Sequence, residues 1–374
     1  MVKDEEVKPI RKRAKNLPDI MFFSAAITLS VIGFISVSSA SAAEGYRLFH
    51  NVFYFTIRHI IFLITGILAL IIFTYFNYRA LKKISLPMLI LSTILLGIVL
   101  IPQFGSLAGG ARRWFRIGPL SFQPSEFARF AIIIYLGVKL SLSQNNVRDS
   151  LENFLKVWLL PLVLCVLIIL EPHFSMSILL IITVGIFIFI CGAKMLHLIS
   201  VGLMFIPVAI GLIIKYPYRA RRILAYLDPF TDPSDKGYHI IQSLKAIIKG
   251  GFFGVGLGEG TQKLGYLPEP HTDFILAIIA EELGFIVVAV ILLLFFIIAW
   301  RGFKIASQSS NKKGSLLASG LTLFLVIPAM INVAVITGLI PSTGIPLTYI
   351  SYGGTSLLFA FIATGIILNI SRQL

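Results

Sequence analysis

The chain has 374 residues, 57% of them hydrophobic and 13% charged, with a formal charge of +15. A soluble domain carries roughly a quarter charged residues, so a soluble enzyme is excluded, and repeated apolar runs of about twenty residues suit a hydrocarbon core of about 30 Å. The positive charge is spread through short segments between apolar runs, as orientation signals and headgroup contacts are, and no basic run is interleaved with base-stacking aromatics, which argues against nucleic acid.

Hydrophobic patterning predicts an all-α, polytopic membrane protein with spans at 20–38, 57–76, 87–103, 126–143, 156–171, 174–192, 195–215, 274–299, 315–338 and 353–371. About ten helices form one transmembrane domain over 20–371, behind a basic segment at 1–19 that has no cleavable signal before the first span. Lys3, Lys8, Arg11, Lys12, Arg13 and Lys15 precede the first span, Arg79, Lys82 and Lys83 follow the second, and Arg301, Lys304, Lys312 and Lys313 follow the eighth. With Arg372 at the end of the chain, these cations fall on one side and predict cytosolic termini. Cys165 and Cys191 lie in separate predicted spans and read as small buried hydrophobes, not as a disulfide or metal ligands.

On the opposite side, the loop at about 104–125 contains Gly109-Gly110-Ala111-Arg112-Arg113-Trp114-Phe115-Arg116. It reads either as an interfacial tryptophan with snorkelling arginines or as a phosphate clamp, since a guanidinium fork suits phosphate oxygens. Ser125 and Glu126 open the next helix, where Glu126 and Arg129 pair at i, i+3.

The loop at about 216–273 is the longest and carries Arg219, Arg221, Arg222, Lys236, Lys245, Lys249 and Lys263. So much positive charge on the translocated side points to an anionic ligand. Ile240, Ile241, Leu244, Ile247 and Ile248 recur at helical spacing opposite Gln242, Ser243, Lys245 and Lys249. That is a short amphipathic helix, lying in the interface or packed on the protein's own surface. Gly250, Gly251, Gly254, Gly256, Gly258 and Gly260 follow. They lack both a Gly-Lys-Ser/Thr ending and GxGxxG spacing, and read as glycine-enabled turns, not a nucleotide loop.

Asp273 ends Leu267-Pro268-Glu269-Pro270-His271-Thr272-Asp273, directly before an apolar helix. A carboxylate there is either a structural N-cap or a functional group whose charge the helix dipole favours, and Glu269 and His271 make a titratable cluster with it. Glu281 and Glu282 sit about 12–14 Å further along the same helix, where ionisable side chains need partners. They read as pocket lining or as a buried polar network. Pro341-Ser342-Thr343-Gly344-Ile345-Pro346 and Ser351-Tyr352-Gly353-Gly354-Thr355-Ser356 suit a cavity-lining turn before the last helix.

Taken together, Gly110–Arg129, Tyr218–Gly260, Gln262–Gly284 and Gly338–Ser356 resemble the SEDS family (shape, elongation, division and sporulation proteins), which includes FtsW, RodA and SpoVE. The resemblance implies a SEDS fold in the bacterial cytoplasmic membrane and a glycosyltransferase that polymerises lipid II on the extracytoplasmic face. It implies a class B penicillin-binding protein as partner, alongside other divisome or elongasome membrane proteins. The family's essential carboxylate falls on Asp273 and its Arg-Trp tryptophan on Trp114. Arg113, Arg116, Ser125, Glu126, Arg219, Lys245, Lys263, His271, Glu281 and Ser351 are the further candidate substrate contacts. A divalent cation, Mg2+ or Mn2+, is an alternative use of Asp273. Pro172-His173-Phe174-Ser175-Met176 departs from the family's Pro-Asp-Phe/Leu-Gly-Thr, so no acid stands at 173. Leu264–Phe274 and Arg116–Arg129 favour the FtsW-like division branch, whereas Thr343 is nearer the RodA elongation type. A lipid II flippase and a non-catalytic scaffold for a transpeptidase are the readings from other classes.

Overall fold

The computed structural model describes residues 17–108, 111–118, 120–142, 151–215, 226 and 236–374. The basic segment before residue 17, Gly109, Gly110, Arg219, Arg221 and Arg222 lie outside them. Eleven α-helices are present among the described residues: α1 (Ile20–Phe49), α2 (Tyr54–Tyr75), α3 (Leu81–Val99), α4 (Pro124–Leu142), α5 (Leu151–Leu170), α6 (Phe174–Ile190), α7 (Met195–Lys215), α8 (Lys236–Gly250), α9 (Ile275–Gln308), α10 (Lys312–Ile336) and α11 (Gly354–Ser371). Seven of them, α1, α2, α3, α5, α9, α10 and α11, are long and apolar enough to cross a membrane, α3 counted with the turn that leads into it. The chain is a multi-pass helical membrane protein.

Burial separates a centre from a rim. In α10 and α11, 78% and 83% of the apolar window is buried, against 28% in α2 and α3 and 22% in α9. The rim helices turn Ile64, Leu68, Ile72, Ile90, Ile94, Leu293 and Phe296 outward, a surface only lipid accommodates at that size. Small residues let the central helix approach its neighbour closely. Gly66 lies against the Phe361 ring, Gly354 against Phe62, and Gly365 against the Leu70 backbone.

Polar contacts mark the two ends of the bundle. At one, Arg301 pairs with Asp19, the Asp19 amide donates to Ser371 Oγ at 3.0 Å, and Asn369 Nδ2 donates to the Thr74 carbonyl at 2.8 Å. The start of α1 and the ends of α2, α9 and α11 therefore meet there. The glycine segment, the 267–274 segment and the 337–353 turn gather at the other end. Two helices run well past the ends predicted for them. α1 continues to Phe49 because nothing before His50 stops it; His50 then adopts the left-handed conformation (φ 51°) and its amide bonds the Gly45 and Tyr46 carbonyls. α9 runs on past 299 to Gln308.

The 104–125 loop is an antiparallel meander, β1 (Ser106–Ala108), β2 (Ala111–Ile117) and β3 (Leu120–Phe122), with Ser106 opposite Trp114 and Phe115 opposite Phe122. Strand alternation sends neighbouring side chains to opposite faces, so Arg112, Trp114 and Arg116 share one face and Arg113 takes the other.

The helix after Asp273 is two helices. Gly284 (φ 78°, ψ 178°) breaks α9, and the glycine segment fills the break. Val255 and Gly256 amides donate to the Glu281 and Glu282 carbonyls at 3.0 Å each, while Phe285 and Ile286 amides donate to Gly251 and Phe252 at 2.9 and 3.3 Å. Together these four bonds satisfy the two amides and two carbonyls of the two helical bonds, Phe285 to Glu281 and Ile286 to Glu282, that the break removes. The approach is so close that a Cβ at Gly250, Gly254 or Gly284 would collide with backbone of the other segment. α8 packs beside this junction on Ile240, Ser243, Ala246 and Gly250 and turns Leu244, Lys245 and Ile248 outward. One face of the amphipathic helix thus sits on the protein's own surface, and an apolar strip is left open.

Gly254→Ala combines a positive φ of 81° with collision against the Glu282 carbonyl. It is expected to cost about 1–3 kcal/mol and lower the Tm in detergent. Gly97→Ala in α3, where nothing lies within 4 Å, is expected to hold or gain up to about 1 kcal/mol. Equal Tm values for the two variants would remove the glycine junction as a constraint.

Candidate active site

Asp273 stands just before α9 and is half-buried. The N-cap position belongs to Phe274, which has no side-chain cap, so the structural role open to Asp273 in the sequence is not the one it takes. Its backbone is pinned instead. Asn332 Nδ2, from the central helix α10, donates to the Asp273 carbonyl at 2.8 Å and to the Ile345 carbonyl at 2.9 Å. The same α10 amide thereby ties the 267–274 segment to the 337–353 turn. On that turn Gly344 (φ 72°) faces the carboxylate: a Cβ there would lie 3.3 Å from Asp273 Oδ2.

Ser351 supplies the second tie. Its hydroxyl donates to the Thr272 carbonyl at 2.6 Å and accepts the Leu347 amide at 2.8 Å, while the Tyr352 amide donates to His271 at 2.9 Å. At 3% exposure and with both bonds made, Ser351 holds the Asp273 segment in place. His271 is buried, with Nδ1 3.3 Å from Glu44 Oε2 on α1 and its ring 4.4 Å from Phe55 and 5.5 Å from Tyr352 between centroids. It therefore orients the segment from the α1–α2 side. A cleft of about 420 Å³ opens next to it, lined by Glu44, Arg47, Lys263, Pro268 and Glu269 among others.

Other candidates have also found partners within the protein. Glu281 is fully buried; Oε1 accepts Lys249 Nζ at 3.0 Å and the Thr261 amide at 2.9 Å, and Oε2 accepts the Gln262 amide at 3.1 Å. Lys263 Nζ lies 2.5 Å from Glu282 Oε1 and donates to Ser39 Oγ at 2.9 Å. Of the two readings for the glutamates, the buried network is realised, and the ammonium of Lys263, which also lines the cleft, is paired with Glu282. Arg113 donates from Nε to the Glu171 carbonyl at 3.2 Å and from Nη2 to the Pro172 carbonyl at 2.5 Å, so it braces the α5–α6 turn and is parted from Arg116. Arg116 is exposed, Trp114 half-buried and Lys245 exposed; Arg219 lies outside the described residues.

The expected Glu126–Arg129 pair is formed. Arg129 Nη2 is 2.8 Å from Glu126 Oε2, donates from Nη1 to the Phe324 carbonyl at 3.1 Å, and stacks 3.9 Å over the Phe324 ring. Neighbouring Ser125 is buried, and its hydroxyl has no partner among the described residues. Asn332 and Glu44 went unnoticed in the sequence. Asn332 had a signal, an amide deep in an apolar span; Glu44 had none beyond its residue type.

The architecture is that of a polytopic helical membrane protein with an anchored carboxylate at one end of the bundle. The chain belongs to the FtsW/RodA/SpoVE family of cell cycle proteins, whose family model matches residues 19–374. It is 39% identical to stage V sporulation protein E of Bacillus subtilis, over 96% of this chain and 98% of that one. It is also 39% identical to a probable peptidoglycan glycosyltransferase FtsW of Trichlorobacter lovleyi, over 95% and 93%. Among solved structures, a chain of a peptidoglycan synthase complex superposes with a TM-score of 0.79 at 26% identity, over 95% of this chain and 98% of that one. Thermus thermophilus rod shape determining protein RodA superposes at 0.70 and 25% identity, over 95% and 97%.

Glu171, in the α5–α6 turn, is fully buried, and neither carboxyl oxygen has a partner among the described residues. Burial pushes its pKa up to about 8 against an ordinary 4.5, with Arg113 opposing. Beside it, burial lowers His173 to about 3, so a neutral imidazole receives the Gln123 side chain at 3.3 Å. The native chain thus holds a proton that the unfolded chain has lost between about pH 4.5 and 8. The stability this contributes is full below that window, falls by about 1.4 kcal/mol per pH unit through it, and is gone above it. His173 contributes the opposite slope up to about pH 6.5, so Glu171→Gln is expected to flatten the decline of Tm between about pH 6.5 and 8. An unchanged slope would show that Glu171 is already ionised in the native state.

Proposed function

We propose that this chain is a peptidoglycan glycosyltransferase that polymerises lipid II into β-1,4-linked glycan strands on the outer face of the cytoplasmic membrane, in septal wall synthesis. The observation that carries the reading is Asp273, held by its own carbonyl, by Thr272 and by His271 at a polar end of the bundle. The family membership and the full-length FtsW relatives support the choice of chemistry. Ten membrane passes with cytosolic termini accord with the meeting of the two chain ends beside Arg301 and Arg372, on the lysine- and arginine-rich side. Asp273 then faces outward.

In the reaction the acceptor's 4-hydroxyl attacks the donor's anomeric carbon. The bond to the lipid pyrophosphate breaks with inversion, and Asp273 takes the hydroxyl proton. General-base catalysis of this kind contributes about 10²–10⁴-fold. The departing pyrophosphate needs positive charge; Arg116 and Lys245, both turned outward, suit that place, and Arg219 belongs to the same loop face. A divalent cation fits as well: Asp273 supplies one carboxylate, and Mg2+ commonly completes its shell with phosphate oxygens and water. It would neutralise the pyrophosphate. Leu244 and Ile248 offer an apolar strip to the polyprenyl chain at the membrane edge. The peptidoglycan synthase complex among the structural neighbours supports a class B penicillin-binding protein as partner.

The break in α9 is a feature that transporters share, but its freed backbone groups are taken by the glycine segment and not left for a ligand. That favours the polymerase over a flippase.

Asp273→Asn, assayed on purified lipid II with a cognate transpeptidase partner present, is expected to lose about 10²–10⁴-fold in kcat. Full activity in that variant would end both the base and the cation roles. Leu244→Asp combined with Ile248→Asp is expected to weaken lipid II binding to the solubilised protein. Binding equal to that of the unaltered chain would rule out the α8 strip as a tail site.

A further inference from the structure

The break at Gly284 separates the helix that begins after Asp273 into an outer segment, 275–283, and an inner, membrane-spanning segment. The outer segment receives no direction from the inner one, because Gly284 lies far from helical geometry (φ 78°, ψ 178°). Its orientation comes from elsewhere. Two adjacent carboxylates at its end point to different structures: Glu281 binds Lys249 of α8 and the amides of Thr261 and Gln262, whereas Glu282 binds Lys263 and Ser39 of α1. Their carbonyls accept the Val255 and Gly256 amides. Glu281 and Glu282 are 0% and 2% exposed, and Lys263 is 8% exposed.

We infer that Lys263, with Lys249 behind it, is a positioning residue for the glycosyl transfer, setting the tilt and depth of the 275–283 segment and hence the place of the Asp273 carboxylate. This rests on the reading of Asp273 as the reacting carboxylate. A short helix of nine residues cut off from its continuation has little intrinsic stability; burial of Ile275, Leu276, Ile278 and Ile279 seats it in the core, and the two ion pairs and the glycine segment fix its far end. Lys263 is closer to the centre of this arrangement, because it joins the outer segment to α1 as well as to its own loop. Through Glu44, the same helix α1 also reaches His271 on the other side of Asp273. A shift of about 1 Å in a reacting group far from the changed residue is enough to cost about 10²-fold in rate.

The test separates positioning from stability. Removing one partner of a buried pair strands a charge, whereas replacing both with neutral side chains does not. Lys263→Met is therefore expected to lose both Tm and kcat. Lys263→Met combined with Glu282→Gln is expected to recover Tm while kcat stays at least about tenfold down, with KM for lipid II within twofold and Lys263→Arg partly active. Hydrogen exchange gives a readout that needs no activity: in the double variant the amides of 275–283, Val255 and Gly256 are expected to exchange faster, and those of 287–300 to stay as they were. Recovery of kcat along with Tm in the double variant would overturn the inference, as would exchange unchanged at 275–283. A rise in KM at constant kcat would place Lys263 on the substrate and overturn it too. If the unaltered, partnered chain makes no glycan, the glycosyltransferase reading falls and takes this inference with it; accelerated exchange with normal kcat removes the inference alone.

Discussion

A helix broken near a membrane must find new partners for the amides and carbonyls it releases, since each one left unpaired away from water costs several kcal/mol. The break at Gly284 is satisfied by four backbone bonds from the 251–256 segment. That exchange dictates much of the surrounding sequence. The incoming backbone lies so near α9 that no Cβ fits at Gly250, Gly254 or Gly284. The outer segment, once cut off, needs anchors of its own, and Glu281 and Glu282 provide them with Lys249 and Lys263. Three buried charges, Glu281, Glu282 and Lys263, are tolerable in one place because each is paired and further hydrogen-bonded, Glu281 to the exposed Lys249.

The same principle governs the end of the bundle around Asp273. Three segments distant in sequence meet there: α10 through Asn332, the 337–353 turn through Gly344, Ser351 and Tyr352, and α1 through Glu44. None of the ties fixing the segment's backbone consumes the Asp273 carboxylate: they use its carbonyl, the Thr272 carbonyl and the His271 carbonyl. A reacting group is best held this way, with its position set by neighbours. The positive charge of the region divides accordingly. Arg113, Lys249 and Lys263 serve the protein's own architecture, and Arg116 and Lys245 are exposed.

Much of this was legible in the sequence. Apolar runs gave membrane residence and nearly all helix positions, because a hydrocarbon core imposes length and composition directly. The glycine cluster was recognisable as backbone-driven, and the i, i+3 spacing of Glu126 and Arg129 predicted a pair that is present. Asp273 stood out as a carboxylate at a helix start. The grouping of Arg113 with Arg116 failed because the arginine loop is a strand, whose twofold alternation parts residues an odd number of positions away. The seven residues Ala111–Ile117 do not alternate apolar with polar, so they carry little strand pattern.

The sequence by itself determined the class of protein and the family, through local properties: hydropathy, charge placement and motif identity each reside in a few consecutive residues. Which charges are spent inside and which face a ligand was decided by tertiary structure alone. Lys263 and Lys245 look alike along the chain, yet one is buried against Glu282 and Ser39 and the other is exposed. The cost of burying an ammonium depends on whether a carboxylate from another element reaches it, and that proximity exists only after the chain has folded.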